Sequence, residues 1–163
     1  MHRTFAVIVC VFTLAACNGG QGPPLGIADP TWPTDATGFG EVIAGLPQEI
    51  DGLERQEGGI LVATYGEEGT SVRIWADDLG GAECPGLSGV SLLRSTLEKD
   101  GVLRIAESSP DGAEDPTYLL GRLDDLSIAA WTVPECAWVV VVEASTPALR
   151  DAGIEATVDA ASA

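Results

Sequence analysis

The chain predicts an α+β domain: a mostly antiparallel sheet of five to seven strands with two helices packed on it. Three observations carry that expectation. In Ser71-Val-Arg-Ile-Trp-Ala76 apolar and other residues alternate, so Val72, Ile74 and Ala76 face one way and Arg73 and Trp75 the other. Trp138-Val-Val-Val-Val-Glu143 is an unbroken apolar run, which suits a central strand covered on both faces. Between them Val90, Leu93 and Leu97 recur at i, i+3 and i+7, one face of a helix.

The elements follow in order. Residues 18–37 read as a tether, because Asn18-Gly-Gly-Gln-Gly-Pro-Pro and Asp29-Pro-Thr-Trp-Pro-Thr-Asp carry glycine and proline at a density that interrupts helix and strand alike. Trp32 inside the tether either docks on the domain or lies exposed. The single α+β domain is placed at 38–163. Glu41 to Leu46 forms one helical turn, and Leu46-Pro-Gln-Glu-Ile-Asp-Gly-Leu leads into strands. Gly59-Ile-Leu-Val-Ala-Thr-Tyr-Gly66 is apolar and β-prone, and with Glu67-Glu-Gly69 as its turn it makes a hairpin with 71–76. The helix after Cys84-Pro85 stops at Gly101 in the C′ position. Val102 to Ala106 is a strand, and 109–116 is a loop rich in proline and acid. Tyr118 to Leu123 and Ser127 to Val133 form a second hairpin around Asp124-Asp125. Ser145-Thr-Pro147 opens a last helix with Leu149, Ala152 and Ala156 on its apolar face and a fraying Ala-Ser-Ala end.

The N-terminus has a different character. Arg3 supplies a positive charge, Phe5 to Ala16 are apolar apart from Thr13, and Leu14-Ala15-Ala16-Cys17 closes the run with small residues before a cysteine. This segment resembles the signal peptide and lipobox of bacterial lipoproteins. The resemblance covers residues 1–17. It implies that 1–16 are removed and that Cys17 becomes the first residue and carries acyl chains. The apolar run of 5–16 is shorter than the roughly 20 residues that span a bilayer. The implied location is the outer face of the cell membrane or the outer membrane, with the membrane as a partner through the N-terminal lipid. Each buried methylene contributes about 0.8 kcal/mol, so two or three acyl chains hold firmly where one does not.

Cleavage leaves 147 of the 163 residues, and all 25 acidic residues but only seven of the eight basic ones lie beyond the leader, a net charge of −18. Phosphate binding along nucleic acid depends on Lys and Arg, so this balance argues against a nucleic-acid partner. It also holds the domain off anionic lipid headgroups. The sole histidine is His2, in the leader. The remaining chain therefore lacks Ser-His-Asp catalysis, Cys-His catalysis and histidine-ligated zinc or copper sites. Cys10 lies in the leader and the resemblance assigns Cys17 to lipid, which leaves Cys84 and Cys136 as one disulfide in an oxidising compartment.

Motifs for chemistry are sparse. Gly86-Leu-Ser-Gly89 has Val90 where G-x-S-x-G needs its second glycine. Thr96-Leu-Glu-Lys99 is not S-x-x-K, and no phosphate-binding glycine loop occurs, so no cofactor is expected. One constellation remains. Glu83 precedes Cys84 and Glu135 precedes Cys136; a disulfide, with its Cα atoms about 5.5 Å apart, brings these glutamates together near Asp77 and Asp78. Those four acids are the weak metal-ligating or acid/base candidates. Trp75, Trp131 and Trp138 either line a pocket or pack in the core. Three roles follow from the sequence: a non-catalytic binding or accessory lipoprotein with a possible protein partner in the envelope, an envelope hydrolase or cation-binding protein using carboxylates near the disulfide, and a small-ligand carrier with a tryptophan-lined pocket.

Overall fold

The computed structural model describes residues 31–56, 58–79, 89–108, 118–133 and 138–163, with the side chains of 89–92 excluded. The expected Cys84–Cys136 disulfide, Glu83, Glu135, Cys17 and the 109–116 loop lie outside these residues. The described chain is α+β, with three helices, a six-stranded sheet and a two-stranded one.

The first helix, α1 (Ala36–Gly45), is longer than the single turn expected from Glu41. Asp35 caps it, its carboxylate accepting the Gly38 N–H at 2.8 Å. Phe39, Val42, Ile43 and Leu46 are buried at the helical spacing i, i+3, i+4, i+7. Strands β1 (Glu49–Ile50) and β2 (Leu53–Glu54) form a small hairpin over Asp51-Gly52, both at positive φ as a two-residue type I′ turn needs. Arg55 then reaches back over α1 and donates to the carbonyls of Ile43 (2.8 Å), Leu46 (3.1 Å) and Ala44 (3.5 Å). Its charge sits where the helix dipole is negative.

The expected first hairpin is present as β3 (Val62–Glu67) and β4 (Thr70–Asp78), in register Val62 to Trp75 through Glu67 to Thr70. The second helix, α2 (Gly89–Lys99), crosses the sheet and ends in a Schellman closure. Gly101 at φ 89° is the C′ residue, and the Val102 N–H donates to Leu97 O at 2.9 Å while Gly101 N–H donates to Glu98 O at 3.2 Å. Leu93 and Leu97 bury the expected face; the Val90 side chain lies outside the described residues. Four strands then run as a meander: β5 (Leu103–Ser108), β6 (Tyr118–Leu123), β7 (Leu126–Val133) and β8 (Trp138–Ala144). The β6–β7 hairpin turns on Asp124-Asp125 as expected.

The sheet order is β3-β4-β8-β7-β6-β5, and every pairing is antiparallel. The valine run therefore occupies a central strand. Trp138, Val140, Val142 and Ala144 join the core on one face, and Val139 and Val141 join a second core on the other. The first face is covered by α1 and by α3 (Pro147–Ser162), the second by α2 over β7 and β6. Thr146 caps α3 through the Leu149 N–H at 3.3 Å, with Pro147 in the first turn. Its buried face is Leu149, Gly153, Ile154, Thr157 and Val158, with Ala152 and Ala156 packed at its margin, and the helix continues through the expected fraying end to Ser162.

Gly153 explains how α3 lies so near the sheet: a Cβ there would stand 2.8 Å from Val142 Cγ1 and 3.1 Å from Val72 Cγ1. Trp32 belongs to the domain. It packs on the first core with its ring centroid 5.9 Å from that of Trp131, edge to face.

Candidate functional sites

Alternation along the strands decides which predicted residues share a surface. Asp77 lies opposite Val139 and Asp78 opposite Trp138, so both stand at the end of β4 that borders the start of β8. Both are exposed. Among the described residues no three side chains of histidine, cysteine, aspartate or glutamate gather closely enough to hold a metal ion. Glu83 and Glu135 lie outside those residues.

The tryptophans separate. Trp131 is wholly buried, between Trp32 and the Tyr118 ring, whose centroid is 5.0 Å away edge to face. Trp138 stacks on Phe39 at 4.6 Å. Both are core residues. The indole N–H groups of Trp131 and Trp32 are buried without a hydrogen-bond partner. Trp75 is half-buried at the edge of the second core, with the Arg73 guanidinium 4.9 Å from its ring centroid.

Arg73 also faces Glu143, its direct partner across β4 and β8, at 3.9 Å. Burial pushes the Glu143 carboxyl above its ordinary range, and Arg73 pulls it part of the way back. An acid held this way is a pH-sensitive joint in the sheet. As a general acid it is compromised by a guanidinium that favours its charged form.

Two clefts open on the described surface. One, of about 440 Å³, runs between β1 and α3 and is lined by Glu49, Asp51, Glu155 and Asp159 with Ala152 and Ala156. Its four carboxylates do not converge into a ligand set. The other, of about 340 Å³, is lined by Gly101, Leu103, Arg104, Arg122 and Asp124. It lies where β5, the sheet's edge strand, departs from regular pairing.

That departure is a β-bulge. Leu103 pairs with Arg122 and Ala106 with Leu120, so Arg104 and Ile105 together oppose Gly121. Arg104 has φ 57°, the left-handed conformation that such a bulge normally assigns to glycine. Gly121 makes room: a Cβ on it would stand 2.4 Å from Val102 Cγ1 and 3.2 Å from Leu103 O. Neither arginine was singled out from sequence, because nothing in Gly101-Val-Leu-Arg-Ile marks a bulge.

Among the described residues most cations are already engaged. Arg55 holds α1, Arg73 holds Glu143, Arg94 bonds Glu107 at 2.8 Å and Arg150 bonds Asp151 at 2.6 Å. Arg122 reaches only the Asp125 carbonyl, at 3.4 Å. Arg104 forms no hydrogen bond or ion pair among the described residues.

Compared with known protein families, curated proteins and solved structures, the chain finds no match in any of the three.

Proposed function

We propose that the protein is an exported lipoprotein, anchored through acyl chains on Cys17 to the outer face of the cell membrane or to the outer membrane, whose domain serves a non-catalytic binding or accessory role in the envelope. The observation that carries the anchoring is Leu14-Ala15-Ala16-Cys17 at the end of the apolar leader. Trp32 already belongs to the domain, so the 14 residues from Asn18 to Thr31 are the proposed tether. As a flexible coil they span about 20 Å. A net charge of −18 beyond the leader keeps so short a tether from letting the domain settle on anionic headgroups.

Binding is favoured over catalysis by two particulars, and a third tells against a tryptophan-lined carrier. No histidine lies beyond the leader. Among the described residues the one carboxyl with a raised pKa is tied to Arg73. Of the three tryptophans considered for a carrier pocket, Trp131 and Trp138 are spent on the core. The disulfide belongs to the same proposal: Asp78 pairs with Trp138, so only five residues separate the end of β4 from Cys84 and one separates Cys136 from the start of β8. The carboxylate alternative draws on that junction as well, since Asp77 and Asp78 stand beside it.

Membrane fractionation of bacteria producing the full chain tests the reading. The wild type is expected in the membrane fraction and to leave it only in detergent, whereas Cys17→Ser appears in the soluble exported fraction. Equal partition of the two chains would refute anchoring through Cys17.

A further inference from the structure

We infer that the cleft between Arg104 and Arg122 is an anion-binding site for a small carboxylate or phosphate ligand. The first ground is backbone conformation. Left-handed φ costs an ordinary L-residue about 1–2 kcal/mol, and glycine or asparagine fills it at less cost. An arginine at φ 57° is therefore retained against a local penalty. A bulge alone is enough to blunt an edge strand. It gives no reason for the strained position to hold a guanidinium.

The second ground is where the bulge aims that group. Leu103 is the direct cross-strand partner of Arg122, and the extra residue turns Arg104 toward the same cleft. Two arginines then line a space of about 340 Å³, within the range of small-ligand sites. Each offers a planar fork of N–H donors that matches two oxygens of a carboxylate or phosphate.

The third ground is charge. In a chain of net −17, most of the arginines of the domain are engaged by internal acceptors, yet these two line one cleft. An anion bound between two like charges relieves their repulsion, which the Asp124 carboxylate on the same cleft offsets by only one charge. The other walls narrow the ligand. A carboxylate such as that of Asp124 can accept a hydrogen bond, so a hydroxyl or amine beside the anionic group fits. Leu103, 66 % exposed, offers an apolar shoulder. The same net charge argues against a membrane headgroup as the source of the phosphate and for a soluble molecule.

This inference names a ligand class for the proposed binding role and does not depend on the lipid. Its test is a titration of the full chain in zwitterionic detergent micelles with inorganic phosphate and with acetate. Ionic strength is held constant with chloride, and the arginine Nε–H resonances are followed by NMR. Saturable shifts at Arg104 and Arg122 are expected for either probe. Arg104→Gly and Arg122→Gln should each weaken phosphate binding about tenfold, the scale of one charge-assisted hydrogen bond. Arg104→Gly suits the left-handed φ and should raise the midpoint of thermal unfolding, so loss of binding in that variant is not loss of fold. Shifts that fail to saturate, that chloride reproduces, or that persist in Arg104→Gly would overturn the site. Binding to phosphatidylglycerol vesicles that free phosphate does not compete would overturn the soluble source. A chain that binds phosphate but is not membrane-anchored refutes the anchoring alone; an anchored chain that ignores phosphate refutes this site alone.

Discussion

Glu143 is a partly buried acid among the described residues whose titration the fold shifts. Its carboxyl sits above the ordinary value of 4.5 because burial disfavours the anion more than Arg73 favours it. The folded chain therefore holds this proton more tightly than the unfolded one. The stabilising contribution is complete below the unfolded value and is lost as pH rises through the folded one. Urea unfolding at pH values rising from the ordinary glutamate value of 4.5 should show that loss. Glu143→Gln should remove this part of the pH dependence. Arg73→Gln should enlarge it and move it to higher pH, since the guanidinium is what pulls the carboxyl down. Identical pH profiles for wild type and Glu143→Gln would contradict this placement of the acid. The pairing was half legible in sequence: the alternation in 71–76 put Arg73 and Trp75 on one side, and the register of β8 was needed to put Glu143 opposite Arg73.

Elements were legible where period and turn chemistry agreed. The β3–β4 and β6–β7 hairpins, the both-faced β8 and the Gly101 stop of α2 all follow from patterns of a few residues. α1 was reduced to a turn because Gly38 and Gly40 and the nearby Pro33 resemble loop chemistry, although Phe39, Val42, Ile43 and Leu46 carry a full helical stripe. α3 was placed correctly but its buried face was drawn through alanines. What sets that face is a close approach that needs a residue without a side chain, and periodicity of apolar residues does not register glycine as buried. Gly153→Ala tests this. Alanine gains about 1 kcal/mol of helix propensity. Its Cβ, however, meets β-branched Val142 and Val72, whose rotamers are stiff, and overpacking of that kind costs about 1–3 kcal/mol. Net destabilisation in chemical unfolding is expected; a gain in stability would mean that α3 lies farther from the sheet. Arg55→Gln should also destabilise, by about 2 kcal/mol, because it removes a charged donor from three carbonyls at the end of α1.

At the scale of the molecule, the chain sandwiches one antiparallel sheet between α1 with α3 and α2, and joins two cores through β8. The class and strand number were legible because the sheet is built from local hairpins and a meander. The full length of α1 and the arginine cleft are not legible, since one is masked by glycine and the other depends on a bulge. The proposed disulfide closes a loop of 53 residues between β4 and β8, which are neighbours in the sheet. Reduction should then lower stability by about 4 kcal/mol in the chain-entropy estimate. No change in the unfolding midpoint on adding a reductant would argue for free thiols.

The proposed anchor would rest on one atom, the sulfur of Cys17. Mass spectrometry of the N-terminal peptide of the chain isolated from bacterial membranes reads it directly. A peptide that begins at Cys17 and carries the mass of acyl chains is expected, with both features gone in Cys17→Ser. A peptide that retains residues 1–16, or one that begins at Cys17 with a free thiol, would contradict it.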